Sequence, residues 1–360
     1  MEFPMQRKGV CYDVGRMMMQ QDWRPNFDPQ MVHRELHIIK DDLHSNAVRI
    51  CGLDLDRLLI ATEDAMKQEL AVWLSPEMWD RSQEETLDYL VKAAAAVEPL
   101  RSSFPQRLVL SVGSELTLFM QGIVEGTNFI ERMSHPAFWE QIKAGVHNEA
   151  LNAFLARTNE AVRHVFHGNI TYMSVPLETI DWSLFDFVGV DMYRETRIKD
   201  SFGDLIKRYF AYHKPVVIGE FGCCTYQGAE DAGAMGWAII DPHNPSQLNG
   251  DYVRDEGVQA RELIDVLSIF DGLGVDGAFV FTFVAPTFPH HENPKYDLDM
   301  ASYSLVKSYA DKHGTTYPDM PWEPKASFAA VAEYYANHEV GIREHDLLVE
   351  GINESSTTEC

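Results

Sequence analysis

The sequence predicts a closed (β/α)8 barrel. Three observations carry this reading: short runs that are apolar at nearly every position, amphipathic stretches between them, and eight such runs in 360 residues. Strands apolar on both faces are buried on both faces, and regular alternation with helices implies parallel pairing through right-handed crossovers. The length is ordinary for one barrel, and no linker-like tract divides it. An open, doubly wound sheet is the alternative, but no GxGxxG follows the first run to build a nucleotide crevice.

The strands are expected at 9–14, 47–51, 70–74, 108–112, 170–175, 187–192, 215–219 and 278–283. Between the first two, Leu36, Ile39 and Leu43 lie on one helical stripe. Ser82-Gln-Glu-Glu85 forms a capping box that opens a helix running through Ala93 to Val97. Further helices are expected over 138–165, 201–212, 255–270 and 328–335. Long loops are expected after strand 4 (116–134) and after strand 7 (222–254). Loops at this face build active sites in such barrels, so both read as a lid or subsite wall. The barrel is expected to occupy 1–338, with an acidic, fraying tail at 339–360.

Thirty basic residues against 55 acidic ones leave a formal charge of −25. That balance argues against nucleic acid and against an anionic membrane surface, and favours a neutral or cationic small ligand. Residues 1–8 are too polar for a signal peptide, and no apolar run approaches membrane-spanning length, so a cytoplasmic location is expected. Five cysteines with no CxxC spacing read as reduced thiols.

Two of the apolar runs end in an acid. Leu108-Val-Leu-Ser-Val-Gly-Ser-Glu115 delivers Glu115, and Lys214-Pro-Val-Val-Ile-Gly-Glu-Phe-Gly222 delivers Glu220. In a parallel barrel both strand ends meet the same face, so the two carboxyls are expected in one bowl. One acid to protonate a leaving oxygen and one carboxylate to attack carbon or activate water is the equipment of a glycosidase.

These residues resemble the clan A retaining glycoside hydrolases of the family 5 cellulase and mannanase type, over most of the chain. Asn46-Ala-Val-Arg-Ile50 is similar to that group's second strand, and Ser114-Glu115 falls where its acid/base follows the fourth. Gly219-Glu-Phe-Gly222 matches its nucleophile motif. Asp191-Met-Tyr193 falls where a tyrosine touches the nucleophile, and Phe279-Val-Phe-Thr-Phe283 lies where an aromatic floor is usual. The resemblance implies Glu115 as acid/base and Glu220 as nucleophile, with Arg49 and Tyr193 keeping Glu220 ionised. It implies no metal or organic cofactor. Ser114 departs from the group, which places asparagine there to bind the sugar 2-hydroxyl. Segments around Phe221-Gly-Cys-Cys-Thr-Tyr226 and Tyr296-Asp-Leu-Asp-Met-Ala-Ser302 are also similar to bacterial proteins loosely labelled abortive-infection proteins, a name that supplies no mechanism.

Sugars stack on aromatic rings, which makes Trp73 the first choice for a carbohydrate platform, with Trp79 and Trp237 beside it. Tyr12 and Asp13 end the first strand and are candidates for a sugar hydroxyl, although Asp13 can equally bond loop amides. In Pro286-Thr-Phe-Pro-His-His-Glu-Asn-Pro294 the adjacent histidines point opposite ways on an extended chain and no second ligand pair is evident. His291 is therefore kept as a substrate-facing residue, not a metal ligand. The expected activity is retaining O-glycoside hydrolysis by double displacement on a small oligosaccharide or glycosylated metabolite. The alternative is a catalytically lapsed barrel that binds carbohydrate or a protein partner in a defence or regulatory role.

Overall fold

The computed structural model describes residues 5–18 and 21–338. Eight parallel strands close into a barrel: β1 (Arg7–Asp13), β2 (Ala47–Gly52), β3 (Ala71–Pro76), β4 (Leu108–Ser114), β5 (Asn169–Ser174), β6 (Val188–Asp191), β7 (Val216–Phe221) and β8 (Gly277–Val280). Each pairs with its neighbour in sequence, and β8 returns to β1 from Arg7↔Gly277 to Val10↔Val280. Alternation along each strand divides the core in two. Val10, Val48, Val72, Leu110 and Ile218 pack outward beneath the helices, while Cys11, Trp73, Val109, Met173, Phe187 and Phe279 fill the barrel interior.

Helices α1 (Pro29–Asp41), α2 (Leu55–Lys67) and α3 (Gln83–Ser103) open on Asp28, Asp54 and Ser82, each of whose side chains accepts from a first-turn amide. The Ser82/Glu85 capping box forms in both directions. The single helix expected over 138–165 is instead two, Phe138–Ala144 and α4 (Val146–Arg163), because Gly145 adopts φ 71° between them. The stretch 201–212 holds only one short α-helix, α5 (Phe202–Lys207), flanked by 3-10 turns. Helices α6 (Glu256–Leu273) and α7 (Ala326–Asn337) complete the ring.

Regular pairing of β8 stops at Val280, short of the expected 283, yet the Phe281 amide still donates to Phe221 O and the Phe283 amide to Cys11 O. A two-stranded antiparallel ribbon, Val306–Ser308 with Trp322–Pro324, follows, and nothing in the sequence pattern announced it. The loop after β7 is built from 3-10 turns, Ala229–Asp231 and Gly233–Ile239. Arg254 fastens its far end to Asp297 (3.0 Å) and Asp299 (2.7 Å), which assigns that acidic pair to holding loops together. Cys11, Cys51, Cys223 and Cys224 are buried free thiols. No helix among the described residues is long and apolar enough to cross a membrane. The acidic stretch 339–360 lies outside the described residues.

Candidate active site

Two irregularities in the barrel aim the acids. Along β4, Ser111 pairs with Thr171 but Ser114 pairs with Met173, so three residues of β4 run beside two of β5. Along β7, Val190 faces Ile218 but Asp191 faces Glu220, which again adds one residue. An extra residue reverses the alternation of side chains beyond it, so Ser114 and Glu220 turn into the bowl instead of outward. Glycine sits at each irregularity. Gly113 has φ 128°, and a Cβ on Gly219 would lie 2.5 Å from both Asp191 Oδ1 and Met173 Sδ.

Glu115 follows at φ 49°, in the left-handed region, a conformation costly for a non-glycine residue. The turn is held from below by β5. The Glu115 amide donates to Met173 O (2.8 Å), the Leu116 amide to the Tyr172 hydroxyl (2.8 Å) and the Thr117 amide to Glu178 (3.0 Å). Tyr172 donates in turn to Glu178 (3.0 Å). Neither Tyr172 nor Glu178 was foreseen, because each acts on the backbone of a residue about 60 positions earlier.

Arg49, fully buried on β2, is the hub. Its Nη1 donates to Glu220 Oε1 (3.0 Å), Asp191 Oδ1 (3.1 Å) and Gly219 O (3.1 Å); Nη2 reaches Ser114 Oγ (3.1 Å) and Nε reaches Ser75 Oγ (3.0 Å). Tyr193 donates to Glu220 Oε2 at 3.1 Å. Oxygens of Glu115, Asp191 and Glu220 all lie within 4.8 Å of one another, a spacing a cation could bridge, and the positive charge among them is the Arg49 guanidinium. The expected set Arg49, Ser114, Glu115, Tyr193 and Glu220 therefore comes together. Asp191 joins it: on β6 it shares a face with Tyr193, and that parity was the signal available in the sequence.

The electrostatics separate the two acids. Burial pushes the Glu115 carboxyl well up, and the charges of Asp191 and Glu220 push it further. Burial also raises Glu220, but Arg49 and Arg16 act against it and Tyr193 donates to its charged form. The expectation of a plainly depressed Glu220 is thus corrected, because desolvation outweighs the two guanidiniums. The order remains: Glu115, which makes no hydrogen bond to Arg49, is the acid more strongly held in its protonated form.

Arg16, just past β1, was also missed. It is 5% exposed, bonds Asp13 through Nε and Glu77 through Nη1 (3.1 Å), and brings Nη1 to 3.8 Å from Glu220. Trp23, Phe281 and Trp79 surround its guanidinium at 4.9, 5.3 and 5.9 Å. Trp79 stacks on Phe119 at 3.8 Å. The rings nearest the bowl thus enclose an arginine.

Three further expectations need correction, Asp13 takes the loop-amide role that was its alternative, and a fifth residue stays unassigned. Trp73 points inward but lies one layer too deep, 1% exposed against Phe187 and Phe279, and offers no face to a ligand. Tyr12 points out of the barrel, where its hydroxyl bonds Glu35 on α1 with Arg24 alongside. Asp13 accepts from the Gly15 and Arg16 amides and from Arg16 Nε, so it holds the loop and Arg16. His291 is exposed; its Nδ1 accepts from the Asn293 amide and its ring leans on Tyr296, with no contact to either acid. Trp237 is half-buried and, like Tyr193, packs against the cluster that contains Tyr303, and it touches neither carboxyl through a hydrogen bond.

With the geometry in place, the chain can be set beside solved structures of similar fold. A GH113 β-1,4-mannanase aligns over 94% of this chain and 100% of its own, with TM-score 0.59 and 14% identity. A GH113 β-mannanase from Alicyclobacillus acidocaldarius aligns over 92% and 97%, with TM-score 0.55 and 13% identity. Gas2 of Saccharomyces cerevisiae aligns over 97% and 68%, with TM-score 0.51 and 16% identity. The chain shares the closed eight-stranded parallel-barrel fold of these structures. No protein-family model and no curated protein sequence matches it.

Proposed function

We propose that this protein is a retaining O-glycoside hydrolase working by double displacement. The observation that carries the reading is the pair Glu115, just after β4, and Glu220, on β7, with carboxyl oxygens within 4.8 Å, of which Arg49 hydrogen-bonds Glu220 and not Glu115. Retaining enzymes hold their carboxyls roughly 5–5.5 Å apart, whereas inverting enzymes leave a wider gap for water. In the first step Glu220 attacks the anomeric carbon while the Glu115 proton passes to the departing oxygen. In the second, ionised Glu115 takes a proton from water, which attacks the same carbon and releases Glu220. Tyr193 and Arg49 hold Glu220 in the attacking orientation.

Ser114 does not reproduce the asparagine of the resembled group, because its side chain is shorter than a carboxamide and its oxygen is held between Arg49 and Asp191. The substrate proposed is a small oligosaccharide or a glycosylated metabolite, and the printed activity of the GH113 neighbours makes β-1,4-mannosides the first compounds to try. An aryl-glycoside panel run on wild type, Glu115→Ala and Glu220→Ala tests the reading, together with a 2-fluoroglycoside that should leave a sugar on Glu220 by mass spectrometry. Hydrolysis that survives both substitutions, or an adduct elsewhere, overturns it.

A further inference from the structure

Asp191 is a carboxyl of the bowl that the double displacement does not use. Its side chain is wholly buried at the end of β6, with Oδ1 3.1 Å from Arg49 Nη1 and Oδ2 3.0 Å from Ser114 Oγ. Ser114 Oγ accepts from Arg49 Nη2 as well. Arg49, Ser114 and Asp191 thus close a triangle directly beneath Glu115 and Glu220.

Of three carboxyls whose oxygens lie within 4.8 Å, two, Asp191 and Glu220, are hydrogen-bonded to one guanidinium, Arg49. At such spacing like charges cannot all be present, as in paired-carboxylate sites where one group keeps its proton. The other groups around Asp191 come from every neighbouring strand: Cys11 from β1, Glu77 beyond β3, Glu115 after β4, Tyr193 beyond β6 and Glu220 on β7. Arg49 is the nearest cation, and it also serves Glu220.

We propose that Asp191 is a positioning residue that works as a neutral acid: it donates its proton to Ser114, frees the Ser114 hydrogen to face the sugar, and leaves the Arg49 charge to Glu220. This rests on the hydrolase reading. With the proton on Oδ2, Ser114 receives two hydrogen bonds, from Asp191 and Arg49, and its own O–H is available as a donor to the bowl. On ionisation of Asp191 the Ser114 hydrogen turns back to Oδ2, and Arg49 is shared between two anions. Ser114 and Asp191 together then do what neither does alone. Burial pushes the Asp191 carboxyl up to about 8, against the pull of Arg49 and with the push of Glu220, in keeping with this state at neutral pH.

The test has two arms on the full chain. In the first, the pH profile of kcat/KM on a turned-over aryl glycoside is compared for wild type and Asp191→Asn, whose amide keeps a donor but cannot ionise. The alkaline limb is expected to move up by about one pH unit or more; an unmoved limb overturns the proposal. In the second, carboxyl carbon-13 NMR of aspartate-labelled protein should show one aspartate titrating far above the ordinary range. That signal should vanish in Asp191→Asn and persist in Ser114→Ala. Its absence from wild type overturns the proposal without any assay of activity. If it is present and no glycoside is cleaved, the neutral-acid arrangement stands and the failure belongs to the hydrolase reading.

Discussion

Glu220 is held by Arg49 and Tyr193 with Arg16 nearby, whereas Glu115 bonds none of them, and their proposed division of labour follows from that difference. Replacing Glu115 by Ala should lower kcat by about 10²- to 10⁴-fold on an alkyl glycoside and far less on an aryl glycoside whose leaving group needs no proton. Comparison of the two substrates checks this. Activity should rise with pH as Glu220 ionises through its raised pKa, then fall as Asp191 and Glu115 lose their protons at higher pH, which gives a bell-shaped profile. Arg49→Met should cost about 3–5 kcal/mol, read by chemical denaturation, because it strands buried carboxyls without their cation. Glu115 and Glu220 were legible because each closes an apolar run and parallel runs end at one barrel face, and Arg49 and Tyr193 because of the family resemblance. Trp73 and Tyr12 were misread for the complementary reason: depth and parity within a strand decide exposure, and Trp73 is one layer down while Tyr12 is one residue out of phase. Arg16 carried no signal beyond a lone cation after β1, since its meaning lies in rings supplied by three separate loops.

Among the elements, the barrel strands were readable because burial on both faces forces apolar residues at every position. The helix expected over 138–165 failed at Gly145, and the ribbon 306–308 with 322–324 is too short for any period to register. The added residues in β4 and β7 were hidden as well, although glycine marked both. Gly219→Ala tests their importance. The new methyl would meet Asp191 Oδ1 and Met173 Sδ at 2.5 Å, so a loss of about 1–3 kcal/mol is expected in denaturant titration, as for an overpacked core. Glu220 should be displaced as well, so kcat should drop more than the stability loss alone explains. Equal kcat in the folded variant would show that the close approach at Gly219 does not aim the acid.

For the molecule as a whole, a formal charge of −25 repels anions. Raising salt should therefore increase kcat/KM for an anionic glycoside and leave that for a neutral one nearly unchanged, which initial rates at several ionic strengths will show. The buried carboxyls also shape stability. Asp191 is pushed up to about 8, so between the ordinary aspartate range and that value the native state holds a proton that the unfolded chain releases. Stability contributed by that proton is complete only below the ordinary aspartate range and is lost progressively as pH rises from there to about 8. Glu98 and Glu256 work in the opposite sense, held at about 2 by Arg101 and Arg254 respectively, with burial opposing, and their contribution is lost in strong acid. The Tm difference between Asp191→Asn and wild type should accordingly widen in favour of the variant from pH 5 to pH 8. The extra residues at Gly113 and Gly219 have a consequence of another kind. They make the chemistry depend on counting as much as on composition: deleting either glycine leaves every acid, arginine and tyrosine in the chain, yet shifts the downstream residues by one and turns a carboxyl toward the helices. Point substitution scans would not detect that vulnerability, whereas a single-codon deletion scan would find it at these two positions.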